Sequence, residues 1–424
     1  MEPKSRSRTG TLRPFRHRDF SLIWTGAFLS FTGSWIQSVA QGWLVYDLTR
    51  DEAKLAFVTF CGMAPLSLFG IFAGTLADTL NRRVVLALSQ ATFGIGALFL
   101  AYVTYTGVVQ YWHIVTVALI LGFVNAIEIP TRQSIVASVV PAEDLAAAVP
   151  INALTFNAAR MVGPAVGGIL LAQFGAGTCY LVNGISYLAL ILAVLAVKAD
   201  LRAIPREPEP MKDLLLGGMR YTFHDIRLKT LFLMEATVSL FGLFYIALMP
   251  AIARDMLKLG KTGLGNAFTA MGVGAVIGLI SVAHLSSKPY KAILTRLAMT
   301  AIAIGLIGLA FSRSEWTAFP LLALVGGASV MQFNTTNTLF QLISPPNLRG
   351  RVIAMHVWAL SGLAPFGTLF FGWLATVTTL SNTILAGGVA VMVGAVLAWI
   401  HRDRLKDAEG NVGTSHPTAT GTTL

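Results

Sequence analysis

Apolar residues in this chain come in uninterrupted blocks of about 20, the length at which an α-helix crosses the hydrocarbon core of a bilayer. Twelve such blocks can be read, at about 20–46, 54–77, 84–106, 112–135, 148–172, 178–198, 229–253, 263–285, 290–311, 316–338, 351–375 and 380–400. Strands of a membrane barrel would alternate apolar and polar residues; these blocks do not. Composition agrees with that reading. The chain is 55% hydrophobic and 12% charged over 424 residues, and a soluble domain carries about twice that charged fraction. The expected fold class is all-α and integral to the membrane, with twelve transmembrane helices.

A net charge of +11 would point to nucleic acid in a soluble protein. Here the placement of the charge gives another answer. With the N-terminus inside, about 24 Lys and Arg fall on the inner side and about six on the outer. The outer group is Arg50, Lys54, Arg254, Lys258, Lys261 and Arg313. This asymmetry predicts both termini in the cytoplasm, basic residues facing anionic membrane lipid, and no nucleic-acid partner. Cys61 and Cys179 both fall inside spans, with no disulfide or metal spacing. The first block is too long for a cleaved signal peptide.

Polarity also divides the chain. Residues 1–19 form a basic cytoplasmic tail, 20–198 a first six-helix half, 199–228 a cytoplasmic linker, 229–402 a second six-helix half, and 403–424 a polar tail expected to be disordered. The linker carries Pro205, Pro208 and Pro210, then a surface helix predicted near Met211–Phe223. The halves echo one another weakly. Pro141, the Gly163–Pro164 pair and Gly168 in the first resemble Pro345, Ala364–Pro365 and Gly372 in the second. Two parallel six-helix repeats make a transporter architecture with its binding site between them near the midplane.

The stretch Gly74-Thr-Leu-Ala-Asp78-Thr-Leu-Asn-Arg82-Arg83 reads as a short charged hinge between spans two and three. Asp78 at a membrane boundary needs a partner, and a helix N-terminus supplies partial positive charge. Arg349-Gly350-Arg351 opens span eleven in the opposite half and offers one. An Asp78 contact there would hold the cytoplasmic side shut; the plainer reading makes Arg82 and Arg83 topology anchors. Glu128 and Arg132 share a helical face with Asn125 on span four, which points to the same gate network. Arg160 lies well inside span five, where an unpaired arginine costs at least about 2.5 kcal/mol. It should face the interior, either paired with Glu128 or as a direct ligand for an anion.

Glu235 on span seven has no evident local partner and is the candidate for carrying a proton. Polar stripes run down span one (Ser30, Ser34, Gln37, Ser38, Gln41) and span ten (Asn334, Asn337, Thr338, Gln341). Such faces line a wet cavity or bond helix to helix. Ser34, Gln37, Gln41, Arg160, Asn334 and Asn337 are therefore the candidate substrate contacts, with Trp35, Phe241, Phe244, Tyr245 and Trp358 as aromatic lining. Gly163, Pro164, Gly167 and Gly168 suit close helix packing and a bend. The seven histidines are scattered without metal-ligand spacing, and no phosphate-binding glycine loop is present. Enzyme chemistry and a cofactor are not expected.

At these residues the chain resembles the major facilitator superfamily. Gly74–Arg83 is similar to that family's loop between helices two and three, with Thr79 in place of its usual arginine and Asn81 in place of its glycine. Gly163-Pro164-Ala-Val-Gly167-Gly168 is similar to the helix-five motif of its exporters, with Ala159 where a glycine is usual. Gly33–Thr49, Glu128-Ile-Pro130-Thr-Arg132-Gln133, Asn157–Arg160 and Leu348-Arg-Gly-Arg351-Val resemble its transmembrane secretion effector, or enterobactin-exporter-like, branch. The resemblance implies a monomeric exporter in the bacterial inner membrane. It would be driven by protons and would move a siderophore or drug-like amphipathic molecule by alternating access. An importer or lipid translocator on the same fold is the alternative, and a non-transporting membrane partner is a rival of another class.

Overall fold

A computed structural model describes residues 13–202, 211–285, 290–346 and 348–405; the side chains of 71–79, 137, 146, 150, 153 and 211–216 lie outside the description. The apolar blocks are helices. The first four are α1 (Arg18–Thr49), α2 (Glu52–Thr79), α3 (Arg82–Tyr105) and α4 (Tyr111–Val139). Blocks five and six merge into α5 (Leu145–Ala196), broken at Gly175, whose φ of 81° lies in the region only glycine adopts without strain. The chain reverses there: the Cys179 thiol reaches the Gly167 carbonyl, which a straight helix would hold roughly 18 Å away. Backbone dihedrals stay helical through Pro164.

The linker contributes α6 (Met211–His224), an amphipathic helix where a surface helix is expected. Block seven is α7 (Ile226–Gly242), α8 (Tyr245–Ala251) and a π turn, Ile252–Met256. Blocks eight to ten are α9 (Lys261–Leu285), α10 (Lys291–Phe311) and α11 (Glu315–Ile343). Block eleven is α12 (Arg349–Val357), a second π turn (Trp358–Gly362) and α13 (Ala364–Val377); α14 (Leu380–Ile400) is the last. Ten described segments are long and apolar enough to cross a membrane, and one of them, 147–196, is long enough to cross twice. The 32-residue α1, whose polar stripe lowers its hydropathy, completes the twelve. Both ends of the described chain thus share one face, here the termini face; the opposite side is the far face.

Contacts sort the helices into two six-helix halves. In the first, α5 packs on α1 and α3, and α2 on α4; in the second, α11 packs on α9 and α10, and α14 on α10 and α7. The halves meet along α5 and α9, α2 and α13, and α1 and α8. In lipid no hydrophobic force drives helices together, so close contact between small residues must do it. Gly168 and Gly265 show how close: a Cβ on Gly168 would sit 2.8 Å from the Cα of Gly265.

The hinge expected at Gly74–Arg83 is shorter than its charge pattern implies. Helix α2 runs through Thr79, so Gly74 and Asp78 lie on its last turns and only Leu80 and Asn81 leave the helix. Asn81 ends the turn by accepting a hydrogen bond from the Arg83 N–H, which caps α3. Two residues suffice for the reversal, so the charged residues before them need not unwind. The side chain of Asp78 lies outside the described residues.

Candidate functional site

The polar stripe of α1 opens onto a cavity of about 400 Å³ inside the first half. Ser30, Ser34, Gln37, Ser38 and Gln41 all line it. They are met by residues from α3 and α5. Asn183 donates from its amide to Gln37 Oε1 at 2.7 Å, the Tyr187 hydroxyl sits 3.1 Å from Ser34 Oγ, and Ser30 donates to Gln90 Oε1 at 3.0 Å. Asn183, Tyr187 and Gln90 were not singled out from the sequence. Each belongs to a short polar patch, Asn183 with Ser186 and Tyr187 on α5 and Gln90 beside Ser89 on α3, and only α5's reversal brings Asn183 and Tyr187 to α1. A second cavity of about 220 Å³ shares Ser38, Gln41, Val58 and Thr59 with the first and reaches Ile246, Phe268 and Thr368 of the second half. The two cavities thus adjoin across these four residues, the first inside the first half and the second in the seam between halves.

Glu128 and Arg132 line the larger cavity and pair with each other: Arg132 Nε lies 2.9 Å from Glu128 Oε1. The i,i+4 spacing on α4 makes that pair. Gln90 Nε2 adds a longer contact to the same carboxylate oxygen at 3.5 Å, and the Arg132 guanidinium lies 4.4 Å from the Phe31 ring centroid. The expected Arg160–Glu128 pair is therefore corrected. Glu128 is taken by its neighbour one turn away, and Arg160 instead lies 5.7 Å from the Trp35 ring centroid, its Nε buried without a hydrogen-bond partner.

The two arginines of the hinge act inside the first half. Arg83 donates to the carbonyls of Val197 and Ala199 at 2.7 and 3.1 Å, and Arg82 to Ser138 Oγ at 3.2 Å. Arg83 thus caps the open carbonyls where α5 ends, a favourable place for a cation. Arg351 faces the linker: a Cβ on Gly218 of α6 would meet its carbonyl at 2.6 Å. Gly350 is exposed, with nothing near its missing side chain. Of the helix-five glycines, Gly163 and Gly167 abut Trp35 and Ile36 of α1, while Gly168 and the Pro164 carbonyl abut Gly265 of α9. Asn334 donates back to the Val330 carbonyl and Asn337 accepts from Gln341; neither lines the two cavities. Phe244 and Tyr245 are buried in packing, Phe244 stacked on Phe371 with centroids 4.0 Å apart.

Glu235 has a partner after all. His356 of α12 places Nδ1 2.6 Å from Glu235 Oε2, with both side chains almost completely buried. Glu235 Oε1 has no hydrogen-bond partner. One turn further along, Ser239 Oγ donates at 2.7 Å to the Leu360 carbonyl, inside the π turn. Ser67 of the first half donates to the adjacent Ser361 carbonyl at 3.2 Å. A π turn breaks the regular i→i−4 ladder and leaves carbonyls to be satisfied from outside. This one is held from both halves.

The other π turn, Ile252–Met256, lies on the far face. It presents Arg254 and Asp255 to the end of α1. Arg254 Nη1 lies 2.7 Å from Asp47 Oδ1, and its guanidinium 5.2 Å from the Trp43 ring centroid. The Tyr46 hydroxyl bridges Asp255 across the seam and Glu52, the latter at 3.0 Å. No local sequence pattern marks this cluster, because its members lie about 200 residues apart and the π turn that aims them has no signature.

A family model described as transmembrane secretion effector matches residues 9–420. The staphyloferrin A transporter of Staphylococcus aureus is 24% identical over 397 residues, covering 93% of this chain and 99% of that protein. The enterobactin exporter EntS of Shigella flexneri is 25% identical over 390 residues, covering 90% and 91%. Among solved structures, a POT family transporter in complex with a thioalcohol-conjugated peptide superposes with a TM-score of 0.75 at 11% identity, covering 92% of this chain and 96% of that one. With twelve membrane-spanning segments in two halves and adjoining cavities within and between them, this chain is a multi-pass membrane transporter that belongs to the transmembrane secretion effector family of the major facilitator superfamily.

Proposed function

We propose that this protein exports a small amphipathic molecule, siderophore or drug-like, across the bacterial inner membrane in exchange for protons. Both termini are cytoplasmic in this reading, so the far face is periplasmic, and the monomer is the working unit. The observation that carries it is the pair of adjoining cavities between Ser30 and Thr368, the smaller lined from both halves, with the Arg254–Asp47 and Tyr46–Asp255 contacts joining the halves on the far face. A site between two halves, shut on one side by contacts that can part, is what alternating access requires.

Glu235 and His356 are the proton carriers in this proposal. A carboxylate and an imidazole sharing one hydrogen bond in a buried site can hold or release a proton with little displacement. The Ser239–Leu360 and Ser67–Ser361 bonds tie that pair to the π turn and to α2, so a change of charge there would be felt by the other half. Export also needs substrate and proton to differ in affinity between the two facing states, since equal affinity moves nothing.

The test is accumulation of a fluorescent amphipathic substrate in cells that express the protein. Expression should lower steady-state accumulation, and an uncoupler should restore it. Glu235→Gln should reach the membrane in normal amount and show no uncoupler-sensitive loss. Higher accumulation on expression would make the protein an importer, and uncoupler-sensitive efflux by Glu235→Gln would remove that residue from the proton path.

A further inference from the structure

We infer that the transported molecule carries an anionic group and that Arg160 binds it. This deepens the transport reading above and rests on it. Arg160 lies roughly 22 Å along α5 from Leu145 at 1.5 Å per residue, close to the middle of the span. A cation at that depth is expensive unless neutralised. Among the described residues none of the carboxylates neutralises it. Glu128, the acid lining the larger cavity, is already paired with Arg132 at 2.9 Å, and Glu235 is paired with His356; Arg160 itself lines neither cavity.

The surroundings of Arg160 are aromatic and polar but uncharged. Trp35 offers its ring face at 5.7 Å, and Tyr245 of the second half lies within electrostatic range. Trp35 in turn contacts Phe156, with centroids 6.0 Å apart, and Phe156 lines the larger cavity. Phe156 and Arg160 are four residues apart on α5, on one face. The guanidinium thus stands behind the Trp35–Phe156 pair, one side chain back from the cavity lining, held by a cation–π contact that spends none of its hydrogen-bond donors. Its Nε is sealed from solvent, yet the residue as a whole is only half-buried, so its remaining exposure is at other atoms.

Charge over the whole space points the same way. Among the residues lining the two cavities, Glu128 and Arg132 are the charged ones and cancel. Arg160, behind the Trp35–Phe156 wall, adds a positive charge with no carboxylate partner among the described residues. A carboxylate, sulfonate or ionised phenol would take the guanidinium's planar donors and supply the missing counter-charge. A permanent cation would meet repulsion at the same place. Arg160 also sits on the seam, since a Cβ on Gly272 of α9 would lie 3.0 Å from the Arg160 carbonyl. An anion bound there would touch both halves.

Two permanently charged probes of matched size test this: a pyrenyl-alkyl sulfonate and the corresponding pyrenyl-alkyl trimethylammonium, each followed by counterflow in liposomes holding the full-length protein. The wild type should exchange the sulfonate faster than the ammonium. Arg160→Gln should lower the sulfonate-to-ammonium ratio at least tenfold, and Arg160→Lys, which keeps the charge, should preserve most of it. The ratio is the readout because a bracing role for Arg160 would slow both probes alike. If both probes exchange and the ratio is the same in Arg160→Gln as in wild type, the inference is wrong while the transport reading stands. If the wild type exchanges neither probe, the transport reading fails and takes the inference with it.

Discussion

The far-face cluster makes a quantitative prediction through Arg254→Ala. Two contacts across the seam are lost: the 2.7 Å pair with Asp47 and the cation–π contact with Trp43. The Asp47 side chain is 50% exposed and that of Arg254 23%, so solvent screens the pair and it is worth about 0.5–1 kcal/mol. The cation–π contact adds about 0.5–1 kcal/mol. Together the far-face-closed state loses about 1–2 kcal/mol, which lowers its population relative to the open state about 5- to 30-fold. Spin labels at Thr106→Cys and Trp316→Cys, exposed positions on far-face turns of opposite halves, report that population by double electron–electron resonance; Cys61 and Cys179 are buried. The wild type should show one dominant short distance, and Arg254→Ala a second, longer population. Asp47→Ala should give a smaller shift, since it keeps the Trp43 contact. An unchanged distance distribution in Arg254→Ala would refute the idea that this cluster holds the face shut.

Three further outcomes follow from the same geometry. Gly168→Val should separate the halves on the far face at a cost of about 1–3 kcal/mol, because its Cβ would meet backbone atoms of Gly265 that cannot yield; Gly260→Ala, with open space around it, is the silent control, and equal distance distributions in the two would count against the α5–α9 contact. His356→Gln should abolish uncoupler-sensitive efflux as Glu235→Gln does, and retained coupling would restrict the proton to Glu235. At the start of α7, burial pushes the Asp225 carboxyl up, but the Arg227 guanidinium and the N–H groups of Arg227 and Leu228 outweigh it and hold the carboxyl below its usual range. Its capping contribution, about 1 kcal/mol, is thus fully present above the ordinary carboxylate pKa and is lost as pH falls through the depressed value. Asp225→Ala should melt lower than wild type at neutral pH, with the gap closing in strong acid; a gap independent of pH would contradict the assignment.

The fold was legible because a bilayer admits few solutions, and block length alone selects among them. The span-one stripe was legible for a related reason: Ser30, Ser34, Gln37, Ser38 and Gln41 repeat at helical spacing, and all five line the cavity. Contacts between distant segments were not. The shared face of Glu128 and Arg132 was legible, but with few acids within the spans Glu128 was also offered to Arg160, and only the structure shows that Arg132 takes it. His356 looked like one of seven scattered histidines until α12 packed against α7. Asn334 and Asn337 share the periodicity of a cavity-lining stripe, yet their amides bond within α11. Periodicity identifies a polar face, and only packing decides what that face meets. The two π turns left no trace in composition, though they carry Arg254, Asp255 and the Leu360 and Ser361 carbonyls into the seam.

Proton movement across liposomes that contain only this protein tests the central claim most directly. An imposed pH gradient is followed with an entrapped dye while candidate substrates are added, among them siderophores, macrolides and the two pyrenyl probes. The account predicts that one substrate class dissipates the gradient in the wild type and does not in Glu235→Gln. Counterflow of a labelled substrate with no accompanying proton movement would contradict it, leaving an uncoupled carrier in which the Glu235–His356 pair is structural.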